Sequence, residues 1–499
     1  MKRASPATAP APTATTGFPP LSAKDVILML LAAGIVIAFF VLPPIEPLTQ
    51  VGMRVVGVFI ATVLLISLVD TTWPSILSLA LFALTGVMSL NDIISVSFGN
   101  WCILFMVLSF VLADLLNNTG FINRLLAFFL SRKLVQKGPW HLTFVLVTVA
   151  LIMGLLMDPT ALVVFFLGFA KKLFAAAGYE KSDRYPRILS MALVFAVSIA
   201  QTMTPFSHFL VIYGLDLYSQ VTGKTLGMAT YMLYAVPAGL VLFLVMLLVL
   251  RYCSKPDLEK LRHLDISSLV EKTKPMERRE KITVITFFTL IVFWILPEVL
   301  TLVAPQFALG HRLQDLGVTF YLIVALAFLG IIRAGGQPVL SWYYSFRRGV
   351  NLKIIFLGTA CILMGNMVTN DQVGLNQLIL QTVEPLVSGL PPILLLLLLV
   401  AMCVVLTNFT SNLTALLLIL GVGLSMAQGG YISPIAVTVA LTYTCGSAFI
   451  LPASSHLIGM LYGDEYAHGG TTFRYGAVLA VASILLSTFL GWPIMALLS

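Results

Sequence analysis

The stretch Thr204-Pro205-Phe206-Ser207-His208-Phe209-Leu210-Val211-Ile212-Tyr213-Gly214 decides the fold, because the chain repeats it. Near the end it reads Leu451-Pro452-Ala453-Ser454-Ser455-His456-Leu457-Ile458-Gly459-Met460-Leu461-Tyr462-Gly463. Both copies sit inside apolar runs long enough to enter a bilayer. A Pro, hydroxyls and a His recur in one order in two membrane segments. That is the mark of a duplicated fold whose two halves build one site.

Composition sets the class around this pair. Of 499 residues, 59% are hydrophobic and 10% charged, and the mean hydropathy is +1.00. A soluble protein would carry about 25% charged residues. Many segments approach the ~20 apolar residues that cross ~30 Å of hydrocarbon. Alternating strand patterns are absent, which excludes a β-barrel. The chain therefore reads as an all-α polytopic membrane protein. Residues 1–23, rich in Ala, Pro and Thr, are expected to form a disordered tail, and 24–50 a retained first helix rather than a signal peptide. The five Cys are scattered, with no CxxC and no zinc spacing.

Hydropathy places spans near 25–43, 51–70, 72–88, 98–116, 186–213, 229–252, 281–303, 316–333, 352–368, 434–462 and 475–498. Stretches 140–175 and 391–428 are broken in their centres by polar residues and are flanked by like loops. They read as hairpins that enter and return on one side. Lys and Arg crowd residues 253–281 and both flanks of 140–175, but are absent between Lys353 and Arg474. The positive-inside rule then puts the amino terminus and the base of the first hairpin in the cytoplasm. The base of the second hairpin and the carboxyl terminus fall outside. The +8 net charge is thus a signal of topology, not of nucleic-acid binding.

The expected architecture is eleven transmembrane helices plus two re-entrant hairpins, in inverted-topology repeats with two broken helices. Repeat 1 covers 51–252 (hairpin 140–175, broken helix 186–213). A cytoplasmic linker covers 253–280. Repeat 2 covers 281–499 (hairpin 391–428, broken helix 434–462). Amphipathic pieces at 119–135 and 371–388 should lie along the membrane surfaces. The hairpin tips align as Asp158-Pro159-Thr160-Ala161-Leu162 against Asn412-Leu413-Thr414-Ala415-Leu416, an offset of 412 − 158, or 254. The His peptides give 456 − 208, or 248, so one drifting register carries both matches.

Inverted repeats with interrupted helices point to a secondary transporter whose site lies at mid-membrane. Four stretches would build it: Met157 to Thr160, Thr407 to Thr414, Ser198 to His208, and Thr442 to His456. Pro159, Pro205 and Pro452 each remove a helical N–H, which favours a break. Half-helix starts favour anions and exposed carbonyls favour cations. Single Ser and Thr in membrane helices usually bond their own backbone, and a lone His or Pro is usually packing or a kink. The clustering is what sets these apart. Asp158 is the sharpest residue, since a carboxylate at bilayer depth is expensive. It could ligate a cation, carry a proton, or cap the helix that Pro159 begins.

The order of these elements, with Ser411-Asn412-Leu413-Thr414, Ala448-Phe449-Ile450-Leu451-Pro452 and Asn118-Thr119-Gly120-Phe121, resembles the divalent anion:sodium symporters, the INDY-like carboxylate carriers. The resemblance spans nearly the whole chain. Those proteins carry Ser-Asn-Thr at each tip and a Thr-Pro-Pro-Asn-like loop in each broken helix. Here the first tip reads Met157-Asp158-Pro159-Thr160, and Ser207-His208 and Ser455-His456 replace the loop ends.

The resemblance implies elevator-type transport of a di- or tricarboxylate by a homodimer in the cell inner (plasma) membrane, coupled to Na⁺ or H⁺ or working by exchange. Thr160, Asn412, Thr414, Ser207, His208, Ser455 and His456 are the expected substrate residues. Asp158, Ser411, Thr202, Thr204, Gly446 and Ser447 are the expected cation residues, with Na⁺ at Asp158 and Ser411. The two His could instead carry protons. No further cofactor and no nucleic-acid partner are expected. The alternative is a Na⁺/H⁺ antiporter of similar architecture that uses Asp158. An enzyme reading lacks a recognisable nucleophile or metal set.

Overall fold

A computed structural model describes residues 22–264, 275–387 and 389–493. The expected amino-terminal tail lies almost wholly outside these, as do parts of the charged linker and the last six residues. The first helix, Ala23–Val41, begins with a reciprocal cap between Ser22 and Asp25. It lies along Gln50–Leu68, where Gly57 leaves room for Phe39: a Cβ there would sit 2.4 Å from the Phe39 Cβ.

The first half continues through Thr72–Leu84, Leu90–Phe98, Trp101–Asn117 and the amphipathic Phe121–Leu130. The pair Pro139–Gly154 and Pro159–Ala177 follows, then Arg184–Ala200, a break, Phe209–Thr222 and Met228–Leu248. The second half runs through Arg278–Val303, Ala308–Asp315, Gly317–Ile331, Trp342–Gly349, Leu352–Thr369 and Leu375–Val387. It ends with the pair Pro392–Phe409 and Asn412–Gln428, then Pro434–Thr444, a break, His456–Tyr462 and Gly469–Leu485. The last helix of each half, Met228–Leu248 and Gly469–Leu485, closes in a π turn, at Val249–Ser254 and Leu486–Leu490.

The chain is a helical membrane protein. Among the described residues seven helices are long and apolar enough to cross a bilayer, or ten if each bent pair is one span. Hydropathy counted eleven by a different division. It took 72–88 and the broken stretches 186–213 and 434–462 as spans, and set apart the hairpin helices Pro159–Ala177 and Pro392–Phe409, which are long enough to cross by themselves. Thr72–Leu84 and Pro434–Thr444 have only 13 and 11 residues, short of the ~20 that a crossing needs.

Three bends escaped the hydropathy reading. Leu90–Phe98 meets Trp101–Asn117 at 47° because the Asn100 side chain accepts the Cys102 N–H at 2.8 Å and restarts the helix. Ala308–Asp315 meets Gly317–Ile331 at 75°, hinged on Gly317 at φ +73°. Trp342–Gly349 meets Leu352–Met367 at 72°. Strands Arg333–Ala334 and Gln337–Pro338 form a small antiparallel hairpin turned by Gly335 and Gly336, both at positive φ.

Burial sorts the helices. Beyond its first turn Arg184–Ala200 is buried on every side, which explains why Ile188 to Ala200 carries no charge and only two hydroxyls, Ser190 and Ser198. Gly154 lets the first hairpin press against it: a Cβ there would lie 2.7 Å from the Ala200 Cβ. Ala23–Val41, Arg278–Val303 and Gly317–Ile331 expose large apolar faces, as lipid contact requires. Two ties join separate elements. Arg124 grips the buried Glu280 through two hydrogen bonds, at 2.7 and 3.0 Å. Glu298, also buried, receives the N–H groups of Ala229 and Thr230 at 2.6 and 2.9 Å and so caps the preceding helix, Met228–Leu248, from outside it.

Candidate functional site

Each of four helices starts at one cavity. Pro159–Ala177 is capped by Asp158, whose Oδ1 accepts the Ala161 N–H at 3.0 Å. Asn412–Gln428 is capped by Ser411, whose Oγ accepts the Thr414 N–H at 3.2 Å. Phe209–Thr222 is capped by the His208 ring, which accepts the Leu210 N–H at Nδ1, 3.2 Å away. His456–Tyr462 is capped by Ser455, which accepts the Leu457 N–H at 3.3 Å.

These caps correct the sequence alignment by one residue. By geometry Asp158 corresponds to Ser411, not Asn412, and His208 corresponds to Ser455, not His456. The two His are therefore unlike. His208 is a cap held by its Nδ1, which leaves Nε2 to carry the proton of the neutral ring. His456 is the first helical residue and faces the cavity. Its Nε2 lies 2.9 Å from Thr160 Oγ1, so one half's hairpin tip meets the other half's break.

The cavity encloses about 510 Å³. Both tips and both breaks line it, through Asp158, Thr160, Ser207, His208, Ser411, Asn412, Ser455 and His456. Thr414 does not. The register shift puts it one position deeper, where its hydroxyl meets Ser411 Oγ at 2.8 Å and Ser67 Oγ at 3.2 Å. Thr202, Thr204, Gly446 and Ser447 also lie behind the cavity rather than on it. They join the breaks to their surroundings. Thr204 Oγ1 donates to the Leu155 carbonyl, and the Ser447 and Ser483 hydroxyls lie 2.6 Å apart. A Cβ on Gly446 would come within 2.3 Å of Thr202 Cγ2, so the two breaks touch there. Beside Thr202, both amide atoms of the buried Gln201 lack a partner among the described residues.

Asn408, grouped with the tip by sequence, is a clamp. It donates to the Ser447 carbonyl at 2.9 Å and accepts the Phe449 and Ile450 N–H groups at 3.0 and 2.9 Å. Two features of the cavity were not foreseen. Lys353 lines it, two residues after Asn351, which caps the helix Leu352–Thr369. Its position at the start of an apolar helix, in a half poor in basic residues, was the available signal. The cavity also has an aromatic patch, in which Phe206, beside Ser207 on the first break, stacks on Trp294 at 5.0 Å. Among the described residues no group of three or more His, Cys, Asp and Glu is gathered as a metal would require.

The sequence profile described as the sodium:sulfate symporter transmembrane region matches residues 23–498. The chain belongs to this family. The resemblance read from the tips and breaks is thereby borne out. The protein is a multi-pass membrane transporter of a family of transporters, not enzymes. No curated protein matches the sequence significantly. Two solved structures share the fold. The Alcanivorax borkumensis YdaH transporter is 16% identical, with a TM-score of 0.52, over 94% of this chain and 98% of its own. Neisseria gonorrhoeae MtrF, from a class described as antimetabolite efflux pumps, is 14% identical, with a TM-score of 0.53, over 94% and 95%.

Proposed function

We propose that this secondary transporter carries small organic anions, di- or tricarboxylates, by an elevator movement coupled to Na⁺ or H⁺ or by exchange. One observation supports the anion reading above the rest: helix N-termini from both halves open onto one cavity. Three of these helices run 14 residues or longer, and each such end carries about half a positive charge. With Lys353 they outweigh the single carboxylate of Asp158. The Asn412 amide, the Ser207 and Ser455 hydroxyls and the two His rings supply donors for carboxylate oxygens.

Asp158 is the coupling residue in this reading. Only Oδ1 serves as the cap, and the other oxygen has no hydrogen bond among the described residues. Ser411 Oγ faces the same cavity, so Na⁺ would find hard oxygen ligands there. The moving body would comprise both hairpins, both broken helices and the helices after them. The remaining helices would form the scaffold and the homodimer contact. The protein would sit in the plasma membrane, with the amino terminus inside and the carboxyl terminus outside.

Counterflow of labelled dicarboxylates and tricarboxylates in proteoliposomes, with and without sodium and across pH, tests this. Uptake of at least one carboxylate is the expected result. Cation/proton flux with no carboxylate transported would overturn it in favour of the antiporter that uses Asp158.

A further inference from the structure

A second carboxylate lies within the membrane, away from the cavity. Asp216 sits on Phe209–Thr222, two turns beyond His208, and is 3% exposed. Its Oδ2 accepts the Asn100 amide at 3.1 Å and the Gln220 amide at 2.6 Å. Gln220 Oε1 in turn accepts the Asn366 amide at 3.1 Å. The chain Asn100–Asp216–Gln220–Asn366 thus crosses three elements: the bend before Trp101–Asn117, the broken helix, and Leu352–Thr369.

Among the described residues no cation pairs with this carboxylate. Trp101–Asn117 brings Cys102 and Asp114, Leu352–Thr369 brings Lys353 and Cys361, Pro434–Thr444 brings Tyr443, and Asn412–Gln428 brings no titratable group. Lys353 is 13 residues from Asn366, roughly 20 Å along the helix, and Asp114 is as far from Asn100. Cys102 is the near neighbour, with its Sγ on the Ile212 carbonyl. On its own helix Asp216 has Tyr213, whose hydroxyl is taken by the Cys361 carbonyl, and Tyr218. The groups that hold the charge are all neutral: the Asn100 and Gln220 amides, helped by the Cys102 thiol and the Trp101 indole.

We propose that Asp216 is a proton-binding site that couples movement of the broken helix to proton uptake and release. The physical argument is linkage. In a dry site an ionised carboxylate is tolerated only while donors face it. Gln220 travels with Asp216 on one helix, but Asn100 belongs to another element. Sliding the broken helix past Asn100, Trp101 and Cys102 removes the donors that do not travel with it, and the carboxylate then takes a proton. Reciprocally, protonation favours the displaced arrangement. The coupling half of this proposal rests on the elevator reading above. The proton site itself does not.

Infrared difference spectra between acid and neutral pH, on the full chain in lipid, test the site without any transported substrate. The expected result is a protonated-carboxyl stretch in the wild type that is lost in Asp216→Asn and kept in Asp158→Asn. An identical band in Asp216→Asn overturns the proposal. Asn100→Ala provides a second check. It should move the band's midpoint to higher pH, and an unmoved midpoint overturns the role of the donor. In counterflow vesicles Asp216→Asn should keep substrate exchange and lose accumulation driven by a pH gradient, while Asp216→Glu keeps both. A wild type that ignores the gradient, or an Asp216→Asn that follows it, overturns the coupling. An infrared band at Asp216 in a protein that moves no carboxylate leaves the proton site standing and removes the anion reading.

Discussion

The two hairpin tips share one backbone geometry and differ in chemistry. In each, the residue before the second helix caps it, and the residue three positions earlier ties the tip to its own half's break. At the first tip the cap is the carboxylate of Asp158 and the tie is the Leu155 backbone carbonyl, which accepts from Thr204. At the second tip the cap is the neutral Ser411 and the tie is the side chain of Asn408. Duplication supplied the geometry twice. Charge entered only one copy, and the multi-point side-chain clamp only the other. One tip is suited to answering a cation, and the other to holding the second break in shape.

Asn408→Ala should produce the largest effect. It orphans buried backbone groups at Ser447, Phe449 and Ile450, each costing about 1–3 kcal/mol. Thermal unfolding of the purified protein should drop steeply, and a change of only a degree or two would break the comparison. Thr204→Val, the counterpart, removes one donor from one carbonyl. Its loss should be a fraction of the first, about 1–3 kcal/mol in all, read in the same melt. Asp158 then separates cap from charge. Asp158→Ala should cost about 1 kcal/mol of stability. Asp158→Asn should melt like the wild type, yet lose the cation dependence of substrate binding seen in thermal-shift titrations.

The smallest effect belongs to the charged loop after the second break. There Lys171 meets Asp464 at 3.0 Å and Lys181 meets Glu465 at 2.6 Å. The Lys181 hydrogen bond, foremost, holds the Glu465 carboxyl below its ordinary range. The contribution of a carboxylate so depressed is present at neutral pH. It fades only as pH falls through that lowered value. Being exposed, the pair is weak. Glu465→Gln should shift the melt slightly at low salt and not at all at high salt.

Much of this was legible because the signals were periodic or sharply placed. Long apolar runs broken by Pro159, Pro205 and Pro452, and by the polar cluster Thr407 to Thr414, located both tips and both breaks. Six of the seven expected substrate residues and two of the six expected cation residues line the cavity. What failed was register. Thr160 and Thr414 look equivalent in sequence, but a cap is defined by which N–H it receives, and only backbone geometry shows that Ser411 holds the position of Asp158. Thr202, Thr204, Gly446 and Ser447 were placed on the right loops but lie behind the cavity. Polarity marks a break, while the side of the break a residue faces depends on packing. Phe206, Trp294 and Lys353 escaped because an aromatic or a Lys at a helix start is ordinary in a membrane protein until the fold brings it to a cavity.

The contact between Gly446 and Thr202 also bears on how the chain is made. The two residues are 244 positions apart. At about 5–20 residues per second, synthesis takes roughly 10–50 seconds to get from one to the other. Throughout that interval the first break, with Gln201, Thr202 and Thr204, lacks the surface that completes it. A half-made carrier therefore presents a polar gap at membrane depth. Whatever receives the nascent chain has to shelter that gap until the second half arrives.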